Sequence, residues 1–173
     1  MERVVKKIII FLCALNFCSS FSQENDNINL IISIDEKVPT SLNIKNISYS
    51  DTDGKTYENN DLKYTQGNFS VPKTTFDKLM SDGVKNVYLS LEYWEYCKGE
   101  QKNYSYVIEL ENSYFKYEYL IMHLFNLDKK KYRKIYFPIS DNKNYTYYFD
   151  YPSNFKGRLI QRRLTKEQKK CNK

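Results

Sequence analysis

Between residues 84 and 110 the apolar side chains recur at every second position, and this period of two constrains the fold more than any other feature of the chain. Val87, Leu89, Leu91 and Tyr93 share one face of an extended segment, with Tyr88, Trp94 and Tyr96 on the other. After the turn-like run Cys97-Lys98-Gly99-Glu100, the residues Tyr104, Tyr106, Ile108 and Leu110 alternate again. A helix returns to the same face every 3.6 residues, so such runs make poor helical stripes, whereas strands match them directly. The two segments read as the arms of a β-hairpin.

Similar patterns recur along the chain. Ile28, Leu30, Ile32 and Ile34 mark a first strand ending near Asp35-Glu36-Lys37, and residues 41–50 form a second, stopped at Asp51-Thr52-Asp53-Gly54. Leu62–Thr65 and Asn68–Val71 flank Gln66-Gly67 as a second hairpin. Residues 117–126 are apolar on both faces, as a central strand is, and residues 132–139 and 145–151 close the series. From residue 23 onward the chain contains no Ala, the strongest helix former, but is rich in Tyr, Ile and Thr. One segment departs from this: Pro72 stands near a helix start, Gly83 past its end, and Phe76, Leu79 and Met80 share a helical face. The predicted fold is mainly β, an antiparallel β-sandwich of the immunoglobulin-like or transthyretin-like kind with one short helix.

The N-terminus reads as an address rather than structure. Arg3, Lys6 and Lys7 precede an apolar run from Ile8 to Phe17, and Ser20 and Ser22 offer small residues for cleavage before Gln23. That run is about half the length a bilayer span needs, so residues 1–22 read as a signal peptide, and no stable membrane span is expected after its removal. A lipid anchor at Cys18 is disfavoured because Phe17 stands where a small residue is expected. The expected location is secreted, periplasmic or cell-surface. Cleavage leaves Cys97 and Cys171, which in an oxidising compartment form a candidate disulfide; two unpaired thiols are the alternative. The sequons at Asn46, Asn68, Asn103 and Asn144 are glycan acceptors in a eukaryotic secretory pathway and chance matches in an Asn-rich chain otherwise; chance is the expectation here.

Charge is unevenly placed. The 173 residues carry 27 Lys+Arg and 21 Asp+Glu, a net of +6. Residues 156–173 hold eight bases, among them Arg158, Arg162, Arg163 and Lys166, against Glu167, so this tail is +7. The intervening domain, 23–155, is −3. Export disfavours a nucleic-acid partner; the tail is either a solvated extension or a contact for anionic surfaces.

The Asp51-Thr52-Asp53-Gly54 turn and the later Gly67-Asn68-Phe69-Ser70-Val71 strand resemble transthyretin-like and immunoglobulin-like accessory domains of secreted bacterial proteins. The leader ending Phe21-Ser22-Gln23 is similar to those of flavobacterium-type secreted proteins. The resemblance covers about the first half of the chain. It implies a recognition or accessory domain and transfers no catalytic residue.

Chemistry-bearing residues are few. His123 is the one histidine and lies within the most apolar strand, pointing into or beside the core, where a hydrogen-bonded structural role is expected; no Gly-x-Ser-x-Gly elbow accompanies it. Glu92, Glu95, Glu109, Glu111 and Glu118 lie on or near the central strands, and Glu92 facing Glu109 across the hairpin would be the candidate carboxylate pair. Asp51 opens like a calcium loop, but Leu62 occupies its twelfth position where a Glu is needed. No metal or other cofactor is expected. Trp94, Tyr96, Tyr104 and Tyr106 form the candidate binding stripe, since aromatic rings give large contact area at small entropy cost. The competing reading is that these rings pack the core or pair across strands. The expected function is non-enzymatic recognition of a glycan or partner protein; the alternative is a secreted hydrolase using a carboxylate pair or His123.

Overall fold

The computed structural model describes residues 25–40, 42–97 and 99–152, without the Cys97 side chain. The leader with Cys18, Cys171, and the tail bases Arg158, Arg162, Arg163 and Lys166 lie outside the described residues, and so does the candidate disulfide.

The fold is mainly β. Among the described residues the strands are β1 (Asn25–Ile28), β2 (Leu30–Ile34), β3 (Asn43–Asp51), β4 (Thr56–Asn59), β5 (Lys63–Thr65), β6 (Asn68–Pro72), β7 (Val84–Cys97), β8 (Glu100–Leu110), β9 (Leu120–Asn126) and β10 (Tyr145–Asp150). Helix α1 (Lys73–Met80) joins β6 to β7 and starts directly after Pro72, whose fixed φ suits that entry; its own Thr75 and Leu79 are the residues it buries. The largest sheet runs β4-β3-β7-β8, with the two long strands β7 and β8 in continuous antiparallel register from Val87↔Leu110 to Cys97↔Glu100. Two three-stranded sheets, β1-β6-β5 and β10-β9-β2, are linked because β1 and β2 are one extended run interrupted at Asn29. Both tight hairpin turns place a glycine at positive φ, Gly67 at 83° and Gly99 at 85°, where an L side chain is strained.

All three sheets contribute to one core. Ile32, Ile47, Phe69, Val87, Leu89, Ile108, Met122 and Leu124 have no exposed surface, and Tyr145, Tyr147 and Phe149 of β10 reach into the same cluster. Burying a large apolar side chain contributes about 1.5–3 kcal/mol, so this cluster supplies the main driving force.

Two expectations are corrected. The pairing is not wholly antiparallel: β2 and β9 run parallel, from Leu30↔Leu120 to Ile34↔Leu124. Parallel neighbours need a long connection, here everything from β3 to the 3-10 segment Asn112–Lys116, and no local signal reports such a pairing. Residues 132–139 are not a strand. Lys130–Arg133 forms a helical turn, and Tyr132 and Tyr136 pack on Phe125, at ring distances of 5.1 and 4.7 Å. Residues four apart share a face in a strand and nearly so in a helix, which is why their spacing misleads.

Tyrosine hydroxyls complete the backbone hydrogen bonding at strand edges. Along the outer edge of β8, the Val107 and Glu109 N–H groups donate to the Tyr145 and Tyr147 hydroxyls, each at 3.0 Å. The Tyr145 hydroxyl donates in turn to the Val107 carbonyl at 2.7 Å. Within the core, the Ile32 N–H donates to the Tyr64 hydroxyl at 2.9 Å. Tyr145→Phe keeps the ring but strands both Val107 groups, so a loss of about 1–3 kcal/mol is expected in urea unfolding. Burial raises the pKa of Tyr64, Tyr106, Tyr114 and Tyr147 above the ordinary 10.0. These phenols therefore hold their protons more tightly folded than unfolded, and stability is expected to fall as pH climbs above 10. Ultraviolet titration should show their ionisation coinciding with loss of near-ultraviolet dichroism; ionisation of all tyrosines at 10 in the intact fold would contradict this.

Candidate functional site

The β7–β8 hairpin carries every ring of the candidate stripe, and its register decides where each points. Trp94 lies opposite Asn103 and Tyr96 opposite Gln101 on the outer face, whereas Tyr93 pairs with Tyr104 and Leu91 with Tyr106 on the inner face. Trp94 is 49% exposed and Tyr96 75%, but Tyr106 is only 2% exposed. Tyr104 packs against the core, stacking on Tyr106, which meets Tyr145 edge-on at 5.1 Å. The four-ring stripe is therefore corrected to two pairs on opposite faces. Tyr104 and Tyr106 serve packing; Trp94 and Tyr96 are the exposed pair.

A chain of polar groups borders the exposed rings. The Tyr96 hydroxyl donates to Gln101 Oε1 at 3.2 Å, and Gln101 Nε2 donates to Asn103 Oδ1 at 3.0 Å. The outer face thus offers two aromatic planes beside two carboxamides. The same patterning would be missed by hydropathy, because Gln101 and Asn103 become neighbours of the rings only through cross-strand register.

The inner face of the same hairpin end holds a charged group that sequence reading missed. Lys129 Nζ lies 2.7 Å from Asp35 Oδ2 and 2.7 Å from Glu95 Oε2. The Asp35 side chain is 5% exposed and Glu95 17%, against 33% for Lys129. Asp35 Oδ1 also accepts the Asn126 N–H at 2.8 Å. Desolvation lowers the Lys129 pKa, but the hydrogen bonds it donates to Asp35 and Glu95, and their attraction, outweigh it and hold the ammonium above the usual lysine range. Asp35 and Glu36, at φ 53° and 68°, form a two-residue turn whose flanking Ile34 and Lys37 exchange backbone hydrogen bonds at 2.7 and 3.0 Å. Such a turn requires positive φ at both central residues, a strained choice without glycine, and it aims Asp35 inward. Glu36 pairs with Lys131 at the surface.

This ion cluster ties Glu95, between Trp94 and Tyr96 in sequence, to the β2 and β9 ends. It anchors the strand that presents the two rings. Two buried polar atoms near it, the Tyr106 hydroxyl and Asn126 Nδ2, have no hydrogen-bond partner among the described residues.

The remaining candidates are separate. Glu92 lies opposite Ser105 and Glu109 opposite Tyr88, so the two carboxylates do not face one another. Glu92 instead meets Lys45 at 3.1 Å and the Asn43 carboxamide at 3.2 Å. Glu109 and Glu111 line an open depression of about 650 Å³ with Lys85, Asn86 and Tyr114, and both side chains are exposed. His123 lies on the face of β9 away from Leu120, Met122 and Leu124; it stacks on Tyr148 at 4.6 Å and its Nε2 is 3.2 Å from Asp150 Oδ2. The Asp51 carboxylate accepts the Asp53 and Lys55 N–H groups and the Tyr57 hydroxyl, closing a turn. Among the described residues no three His, Cys, Asp or Glu side chains gather as metal ligands.

Lys129→Met leaves Asp35 and Glu95 without their cation. A loss of about 3 kcal/mol is expected, at the lower end for a broken buried pair because a third of Lys129 is exposed. Lys131→Met, which breaks the exposed pair with Glu36, should cost far less than Lys129→Met in the same urea titration.

Comparison of the chain with family models, with curated proteins and with solved structures found no match.

Proposed function

We propose that this chain is a secreted or periplasmic recognition module, a β-sandwich of the accessory-domain kind, that binds glycans on the outer face of its β7–β8 hairpin. The observation that carries this reading is the exposed pair Trp94 and Tyr96 beside Gln101 and Asn103. An aromatic plane stacks against the C–H face of a pyranose ring, and carboxamides exchange hydrogen bonds with its hydroxyls. Residues two apart on a strand are about 6.6 Å apart, so the two rings suit successive features of one extended saccharide rather than a single deep pocket. Anchoring by the Lys129 cluster supports the reading, since a platform held rigid before binding loses less entropy on contact. The basic tail at 156–173 adds long-range attraction to anionic polymers.

Trp94 is the single tryptophan of the chain, so its emission reports on the site without interference. Titration with a panel of soluble polysaccharides is expected to quench or blue-shift that emission saturably. Tyr96→Ala in the same titration, and Trp94→Ala by titration calorimetry because it removes the emission, should each weaken binding at least about thirtyfold, as for a hot-spot ring, with far-ultraviolet dichroism unchanged. A panel leaving the emission unaltered overturns the glycan reading and transfers the face to a protein partner.

A further inference from the structure

Three residues far apart in sequence converge where β2 and β9, adjacent and parallel, leave their sheet. Asp35 follows β2 directly and its N–H donates to the Leu124 carbonyl of β9 at 2.9 Å. Lys129 returns from the turn after β9, and Glu95 reaches in from β7 of the four-stranded sheet. From these positions we propose that Lys129 and Asp35 become joined by an intramolecular amide bond, formed by the folded chain itself with Glu95 as proton carrier.

Each part of the reaction has a group in place. In the open form Lys129 is an ammonium and Asp35 a carboxylate, touching at 2.7 Å. The ion pair favours the ammonium, so closure proceeds through the small fraction in which one proton has passed from Nζ to Oδ2, giving a neutral amine beside a neutral carboxylic acid with no change in total charge. The amine lone pair then forms the N–C bond to the Asp35 carboxyl carbon. The Asn126 N–H, 2.8 Å from Oδ1, stabilises the negative charge that develops on that oxygen. Glu95, within 2.9 Å of Nζ through Oε1 and 2.7 Å through Oε2, takes a second proton from the nitrogen and returns it to the departing hydroxyl, acting first as base and then as acid. The balance is one ammonium plus one carboxylate giving one secondary amide plus one water. No oxidant, reductant or activating group is consumed.

The surroundings favour closure. Burying two charges carries a desolvation cost that a neutral amide largely avoids, and the amide N–H still has Glu95 as acceptor. The Asp35 side chain is only 5% exposed, which limits the water that can reach its carboxyl carbon for the reverse hydrolysis. The fixed turn at Asp35-Glu36 holds the carboxyl in place, which replaces the entropy loss of bringing two side chains together.

The test is the mass of the purified full chain. Wild type is expected to weigh one water molecule less than its processed sequence, and protease digestion should release one branched peptide joining the segments around Asp35 and Lys129. Glu95→Gln, which preserves side-chain shape, and Lys129→Arg should each recover the missing water and lose the branched peptide. Reducing agent should have no effect on the wild-type deficit, since no disulfide is involved. A wild-type chain at its full mass without the branched peptide overturns the proposal, whatever the variants do. A deficit that persists in Lys129→Arg overturns it equally, because the water was then lost elsewhere.

Discussion

A strand edge presents backbone N–H and C=O groups that must find partners when core packing takes them from water, and this requirement governs the arrangement of the sheets. The answer here is the phenolic hydroxyl. Tyr145 accepts from and donates to Val107, doing with one oxygen what a residue on a neighbouring strand does with two groups. The Tyr147 hydroxyl accepts the Glu109 N–H, and the Tyr64 hydroxyl accepts that of Ile32. Each ring buries apolar surface along its length and delivers a polar end, so the tyrosine content unites packing and edge satisfaction. The β10 and β8 edges are thereby joined without a further strand, and the core between them is closed on that side.

With the sheets joined, the hairpin end beyond them needs its own tether, and Lys129 supplies it. Glu95 points inward to the ammonium while Trp94 and Tyr96, its sequence neighbours, point outward. Alternation therefore couples the two faces: the residue that anchors the strand sets the orientation of the rings on either side. Asp35 takes a left-handed backbone conformation in the turn, which aims its carboxylate inward to meet the ammonium.

Much of the local structure was legible in the alternation. Gln66-Gly67 and the turn at Gly99 fall between runs whose period announced strands, and Pro72 marked the start of α1. Legibility ended where contacts are distant in sequence. The parallel pairing of β2 with β9 has no local signature, and Tyr132 and Tyr136 fit either period. Trp94 was identifiable as a candidate ring, but not its separation from Tyr104 and Tyr106. That separation is set by hairpin register, and a slip of one residue in register would invert it.

The sequence by itself determined the class of fold and the supply of aromatic residues, because the period of two and the lack of alanine act on every segment locally. The tertiary structure alone decided which rings stay in water, which hydroxyls cap an edge, and that Asp35, Glu95 and Lys129 meet. Those outcomes depend on register and on long-range pairing, where residues separated by many positions become neighbours only after the core has formed.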